Sequence, residues 1–514
     1  MPAEQLILTH RISDHARARP HDRAVVCDGR SLSWRQFDMR LGEVACALRA
    51  LGLRKGDKVA LISRNSLPAV EVFFGALRAG CCIVPLSSMT DARTQAALLR
   101  DSDARALFYA GDARASVPDA LALGVLAPGG LVALDFEAEG HTSYDAFVAS
   151  AGAQRLGEAI ELVDDFNLIY SSGTTGSPKG ILHSHAMRAG TVARAGLWGF
   201  GPDAVNLTST PLYSNTTMAA LLPAMAGGAT SVLMGKFDAQ RFLELSQQER
   251  VTHAMLVPVQ YQRLLAQPTF DRFDLSSYRL KLCTSAPLRA ELKAEILARW
   301  PGDLIEIYGM TEGGAVCLLD ARKHPDKLHT VGRPSPQSDV RIIDEHGREL
   351  PTGQVGEVVG RQNVMMTGYY KQQAATEAII WRSPEGLRFQ RTGDLGRFDE
   401  DGFLQLLDRK KDMIISGGFN VYPVDLEAVL ASHEAVADVA VIGVPSEQWG
   451  ETPLALVVLK VGCAATAEDL VTWANTRLGK TQRLSGVELR TSLPRSPIGK
   501  VLKRELRAPY WPSS

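Results

Sequence analysis

The chain has 514 residues, 45% of them hydrophobic and 22% charged, the balance of a globular protein rather than a disordered one. At about 100–200 residues per domain it is long enough for roughly three or four units. Its 56 Lys and Arg against 57 Asp and Glu leave a formal charge of −1, which excludes bulk attraction to nucleic acid or to an anionic membrane surface.

The seven cysteines form no C-x-x-C pair, so they read as buried thiols in a reducing, cytoplasmic compartment rather than a disulfide or metal framework. The opening stretch MPAEQLILTHRISDHARARP carries acids and no apolar core, so a secretory signal is not expected. No uncharged apolar window reaches the length of a membrane span.

In chain order, Ser33–Leu53 has apolar residues at helical spacing, with Gly52 near its stop. Lys58–Ile62 (KVALI) reads as a buried strand, Leu67–Ala79 as a helix ended by Gly80, and Cys81–Pro85 as the next strand. This alternation predicts parallel α/β architecture with right-handed crossovers. Strands recur at Ala229–Met234, Thr252–Val257 and Leu280–Thr284. After Val331 the segments DVRIIDEHGREL, VGEVVGR and DEDGFLQLLDR are short and glycine-punctuated, as in hairpins. From Asp412 a compact α+β pattern follows: a strand, a helix over Pro423–Ser432, strands at Ala437–Val441 and ALVVLK, and a helix over Ala467–Leu478. The charged run DRKKD (Asp408–Asp412) suits a linker between the last two regions.

The segment with the clearest chemistry is YSSGTTGSPKG, Tyr170–Gly180, directly after the apolar run FNLIY. Glycines let successive backbone amides turn inward around an anion. Ser171, Ser172, Thr174 and Thr175 add hydroxyl donors, Gly173 and Gly176 add conformational freedom, and Lys179 adds a point charge. A polyphosphate is the ligand this set suits. It is not a Walker A loop. Gly479-Lys480-Thr481 only imitates one, because Ala474 stands where the first glycine is required, and Lys480 reads as a surface lysine. His183 and His185 beside the loop (ILHSH) read as structural.

Six segments in order make the chain resemble the adenylate-forming enzymes, the superfamily of acyl-CoA synthetases, luciferases and peptide-synthetase adenylation domains. They are YSSGTTGSPKG, TSAPL (Thr284–Leu288), YGMTEGG (Tyr308–Gly314), TGD (Thr392–Asp394), DRKKDMIISGGFNVYP (Asp408–Pro423) and PRSPIGK (Pro494–Lys500). The resemblance implies an α/β fold with a large N-terminal adenylation domain (1–408) of α/β subdomains plus a β-rich subdomain. A small, mobile α+β C-terminal lid (409–514) would follow.

It also implies ATP, Mg²⁺ and coenzyme A as ligands, and a small-molecule carboxylic acid as substrate. Tyr308 would stack on adenine beside Ser285, Ala286 and Pro287, with Gly309 and Met310 in the same loop. Thr311 would bond the α-phosphate, and Glu312 would hold Mg²⁺, a hard cation that takes carboxylate and phosphate oxygens. Asp394 would accept from the ribose hydroxyls with Arg409 close by; read without the family, Asp394 is a turn residue. Lys500 would bridge the carboxylate and the α-phosphate. The family rotates its lid about a hinge, here Lys411. That motion brings Gly417 and Gly418 to the pantetheine arm and an aromatic, here Trp449, to the CoA adenine. Family members are often dimers.

The acid pocket falls by resemblance on PLYSNTTM (Pro211–Met218), VPVQYQ and the residues around YGMTEGG: Tyr213, Ser214, Asn215, Met218, Val257, Ile307, Gly313 and Gly314. Many relatives carry His where this chain has Ser214. No Asp stands in PLYSNTTM to hold an α-ammonium, and Ile307 is not the Arg of dicarboxylate-activating relatives. The expected acid is therefore aromatic, a benzoate or hydroxycinnamate, with a medium-chain fatty acid as the alternative. Loading of a carrier protein, a luciferase-like oxygenase and a non-catalytic nucleotide binder are the other readings. The last is disfavoured because Lys179, Glu312, Asp394 and Lys500 are all present.

Overall fold

The computed structural model describes residues 7–115, 117, 126–151, 159–171, 179–410, 412–417, 419–479, 482–496, 499 and 501–511. They fall into two compact units. The first comprises residues 1–313, 320–328 and 362–379; the second comprises 314–319, 329–361 and 380–514.

In the first unit, local signals and tertiary burial agree. Ser33 caps the helix Trp34–Ala50 through a reciprocal capping box with Gln36. Ser66 caps Leu67–Arg78, whose apolar face is fully buried. Lys58–Ile62 is a strand at the expected bounds, paired in parallel with Cys82–Leu86 on one side and Ala104–Tyr109 on the other. These belong to an eight-stranded sheet. Its order is Gly368–Tyr369, Lys179–Ser184, Asp165–Ser171, Cys82–Leu86, Lys58–Ile62, Ala104–Tyr109, Leu131–Ala133, Thr142–Ser143. A second sheet runs Asp303–Gly309, Leu280–Cys283, His253–Leu256, Val205–Thr208, Thr230–Leu233, Arg23–Cys27, Arg30–Ser33. Its strands are parallel up to the closing hairpin. Both sheets therefore present the carboxyl ends of buried parallel strands, where α/β proteins place ligands. Phe37, Phe73, Phe74, Phe108, Phe147 and Phe166 build much of the core between the layers.

The second unit contains the hairpin-rich segment and the α+β segment. Ser338–Ile343, Gly356–Gln362, Arg388–Phe398 and Ile380–Arg382 form one path, antiparallel from Gly356–Gln362 onward, with Leu404–Arg409 paired to Arg388–Phe398. A further sheet orders Phe419–Val421, Ile414–Ser416, Gly450–Leu459 and Val436–Ser446, with Gly486–Leu489 on Gly450–Leu459. The helices Pro423–Ala431 and Ala467–Asn475 supply Leu426, Leu430, Leu470 and Ala474 to its core. By packing, the hairpin-rich segment joins the C-terminal residues; a functional border at Asp408 and Arg409 is a separate matter. Among the described residues no helix is long and apolar enough to cross a membrane.

Candidate active site

In the first unit the motif segments are tied to one another by side chains. The proposed phosphate loop is the connection between two antiparallel strands whose last pair is Ser171 and Lys179. Ser172, Gly173, Thr174, Thr175 and Gly176 lie outside the described residues, as does the Ser171 side chain. The register nonetheless fixes both ends of the loop. The Lys179 ammonium stands 4.9 Å from the centroid of the Tyr369 ring, a cation–π distance. The Tyr369 hydroxyl in turn donates to Glu312 Oε1 at 2.8 Å. Burial and the adjacent carboxylate raise the Tyr369 phenol above its usual range, so it stays a donor. One aromatic residue thus links the foot of the phosphate loop to the proposed Mg²⁺ carboxylate.

Thr311 is held from the other side. Its carbonyl lies 2.8 Å from His183 Nε2. His183 is fully buried, and burial with Arg188 beside it drives its pKa well below the usual value, so the ring is neutral. His185 packs edge-on against Phe166 at 4.9 Å, and burial lowers it to about 4.

The adenine-side and acid-side segments meet as well. Thr284 Oγ1 donates to the Ile307 carbonyl at 2.7 Å, joining TSAPL to the strand that carries Tyr308. Ser285 holds φ +82°, a left-handed conformation costing a non-glycine residue roughly 1–3 kcal/mol. Its hydroxyl pairs with Thr216 Oγ1, inside PLYSNTTM. Beneath TSAPL, the Leu288 amide donates to Glu306 Oε1, and Glu306 forms a buried ion pair with Lys293. Ala286 is half-buried and Pro287 exposed; Gly309 is exposed, and Tyr308 and Met310 are half-buried.

Of the acid-pocket residues, Ser214 caps the helix Asn215–Gly227, accepting from the Thr216 amide. Met218, Val257 and Ile307 are buried, whereas Tyr213 and Asn215 are half-buried. Asn215 Oδ1 accepts from Arg188. Gly313 is buried with φ +80°, and an added Cβ would lie 2.5 Å from the Met187 methyl. Gly314 belongs to the second unit, packed on Gln390.

Asn65 is a residue the sequence did not single out. It donates to the Thr210 and Met234 carbonyls and accepts from the Leu212 amide, anchoring the base of PLYSNTTM. It also lines a cavity of about 410 Å³ with Ser63, Arg64, Asp112 and Lys236, which holds none of the expected site residues.

The second unit carries the remaining chemistry. Asp394 is not in a turn. It sits in the strand Arg388–Phe398 directly opposite Arg409, with Arg409 Nε 3.1 Å from its Oδ1. Thr392 bonds the Val358 carbonyl at 2.8 Å and receives the Asp394 amide. Gly417, at φ +57°, donates its amide to the Trp449 carbonyl, and a Cβ there would sit 2.7 Å from the Trp449 ring. Only glycine fits both demands. Trp449 is 51% exposed, so its ring face is available to a stacking partner. Lys411, Gly418, Lys480 and Lys500 lie outside the described residues.

Glu312 tests well as a magnesium ligand. One oxygen accepts from Tyr369, and no Lys or Arg among the described residues is paired with it. That leaves a carboxylate oxygen for a cation that completes its shell with phosphate and water.

A parallel α/β fold, with Lys179 at the foot of the loop linked through Tyr369 to Glu312 of the Tyr-Gly-Met-Thr-Glu segment, accords with the adenylate-forming enzymes. The chain belongs to that superfamily: the AMP-binding enzyme family model matches residues 12–370, and the AMP-binding enzyme C-terminal domain matches 425–500. Its class is the AMP-forming acyl-CoA ligases. It is 34% identical to a feruloyl-CoA synthase of an Amycolatopsis species over 495 residues, covering 96% of each chain. It is 33% identical to the fatty acid–[acyl-carrier-protein] ligase ScoC of Streptomyces coeruleorubidus over 522 residues, covering 99% of this chain and 97% of that one. The ATP-bound structure of MatB from Rhodopseudomonas palustris superposes with a TM-score of 0.85 at 29% identity, covering 98% and 99% of the two chains.

Proposed function

We infer that the protein activates an aromatic carboxylic acid, of benzoate or hydroxycinnamate type, and transfers it to coenzyme A. In the first step the carboxylate oxygen attacks the α-phosphorus of ATP; a P–O bond forms, and the bond to pyrophosphate breaks. In the second step the CoA thiol loses its proton and its sulfur attacks the acyl carbonyl, releasing AMP. Both partners of the first step are anions, so the residues act by position and charge, and no protein nucleophile is required.

The observation that carries this reading is the set of cross-ties in the first unit: Lys179–Tyr369–Glu312, His183–Thr311 and Thr216–Ser285. It brings together the segments expected to bind phosphate, cation, nucleotide and acid. Within it Lys179 would neutralise phosphate oxygens and Thr311 would bond the α-phosphate. Glu312 would hold Mg²⁺, which when bound supplies charge neutralisation. Asp394 would accept from the ribose, oriented by Arg409. Lys500 would stabilise the crowded anions of the first step. The second step would use Gly417, Gly418 and Trp449, with Lys411 as the hinge between residues 1–408 and 409–514.

The apolar burial of Met218, Val257 and Ile307, with polar Asn215 half-buried nearby, supports an apolar acid bearing a polar substituent. Similarity to a feruloyl-CoA synthase points the same way. Similarity to ScoC supports a second reading, a fatty acid or a carrier-protein acceptor. Five of the seven cysteines are buried as expected, whereas Cys46 is half-buried and Cys463 exposed; their low number and the lack of a C-x-x-C pair favour a reducing, cytoplasmic setting.

The test is a panel of carboxylic acids with ATP, Mg²⁺ and CoA, read as AMP release and thioester mass. Benzoates or hydroxycinnamates should give thioester. Acyl-AMP that accumulates despite CoA, and clears when a carrier protein is added, would select the second reading. No turnover with any acid would sink both.

A further inference from the structure

Arg188 lies on the helix His185–Val192 that follows the phosphate-loop hairpin, and only 4% of it is exposed. A buried guanidinium is costly unless paired, yet no carboxylate among the described residues pairs with it. Burial, with Arg194 nearby, lowers its pKa to about 9, so it remains a cation at neutral pH. Its polar partners are neutral. Nε donates to Asn167 Oδ1 at 2.8 Å, Nη1 to Asn215 Oδ1 at 2.9 Å, and Nη2 lies 2.8 Å from His183 Nδ1.

Arginine has donors and no acceptors, and that single fact sets every other proton in the cluster. Both asparagines must turn their carbonyl oxygens toward Arg188. Asn167 Nδ2 then points at His183 Nδ1, 3.1 Å away. With two donors aimed at it, His183 Nδ1 is an acceptor. The proton of the neutral ring therefore sits on Nε2, which donates to the Thr311 carbonyl at 2.8 Å. The peptide unit is planar, so holding the Thr311 carbonyl also sets the direction of the Glu312 amide. At the other end, Asn215 is left with its amide hydrogens directed away from Arg188, as donors at the acid segment.

We propose that Arg188 is a positioning residue for adenylate formation, acting through His183 on Thr311 and through Asn215 on the acid. Its unneutralised charge adds a favourable field where two anionic substrates must meet. The inference rests on the ligase reading above, and it extends that reading by joining the acid and α-phosphate ends of the site through one buried cation.

The experiment has two arms on the full chain. The first needs no substrate: ¹⁵N-histidine NMR at pH 7 should show His183 neutral and protonated on Nε2. A ring protonated on Nδ1, or charged, would overturn the inference even if the ligase reading stands. The second measures acid-dependent ATP–pyrophosphate exchange and, separately, thioester formation from supplied acyl-AMP. Arg188→Lys keeps the charge but loses the three-way fork, and should lower exchange by about 10-fold; Arg188→Met should lower it by about 100-fold, as expected for misplaced reacting groups. Thioester formation should stay within about threefold, a split that a merely structural loss would not give. Asn215→Ala, at a half-buried position, serves if the Arg188 variants do not fold, and should lower exchange by about 5–10-fold. Equal loss in both half-reactions, or no loss in exchange, would overturn the proposal. Nε2 protonation with no turnover of any acid would instead point to failure of the ligase reading.

Discussion

The two compact units treat their motif residues differently. In the first, Thr311, Glu312, Ser285 and Asn215 are each held by another side chain drawn from a distant part of the chain: His183, Tyr369, Thr216 and Arg188. In the second, Gly417 sits on a short hairpin against the Trp449 ring, with Ile415, Phe419 and Trp449 each more than half exposed. The first arrangement suits a rigid template, in which electrostatic preorganisation depends on groups that do not reorganise. The second suits groups presented at a surface. Asp394 and Arg409 are intermediate: they pair with each other across adjacent strands.

That contrast can be broken at either end. The largest effect should come from the template. Glu312→Gln removes the charge proposed to bind the cation but keeps an acceptor for Tyr369, and should lower acid-dependent pyrophosphate exchange by about 10²–10³-fold. The loss should respond to added Mg²⁺, and an unchanged rate would remove Glu312 from the site. In the presented hairpin, Gly417→Val must enter a left-handed conformation and push into the Trp449 ring. It should slow thioester formation by about 10-fold or more while leaving exchange near the wild-type rate. Equal damage to both steps would erase the distinction between the units.

The smallest effect concerns pH. Burial lowers His185 to about 4. A base depressed in the fold gives stability that is present above its unfolded pKa and is lost as pH falls through the folded one. The stability of the first unit should thus decline between pH 6.5 and 4, by up to about 3 kcal/mol for this group. His185→Phe should flatten that decline in denaturant titrations. Asp408 in the second unit is raised to about 6, mainly by burial against the pull of Lys503. Its contribution runs the other way, present at low pH and lost as pH rises toward 6. Asp408→Asn should therefore flatten a slope of opposite sign.

Much of the fold was legible because burial and local chemistry coincide in the first sheets. KVALI is a strand at its expected bounds, and Gly80 ends a helix with the positive φ its position requires. Where they diverge, reading the pattern fell short. The strand Val436–Ser446 runs well past Ala437–Val441 because it pairs with Gly450–Leu459 as far as Ser446 opposite Gly450, a long-range register that its own residues do not show. Asp394 looks like a turn residue in isolation, yet strand pairing with Arg409 claims it. The motifs located the chemistry, but the residues that hold them were hidden. His183 reaches a carbonyl 128 positions away, and Asn65 reaches Thr210 across 145. No local pattern encodes such partners; they follow only once the sheets set the strand order.

The proposed division of labour between residues 1–408 and 409–514 is tested most directly by Lys500→Ala, assayed in both half-reactions with the same acid. The account predicts that acyl-AMP formation falls by about 10²–10³-fold, while conversion of supplied acyl-AMP to thioester stays within about threefold of wild type. Intact adenylation by the variant, or equal loss in both steps, would contradict it.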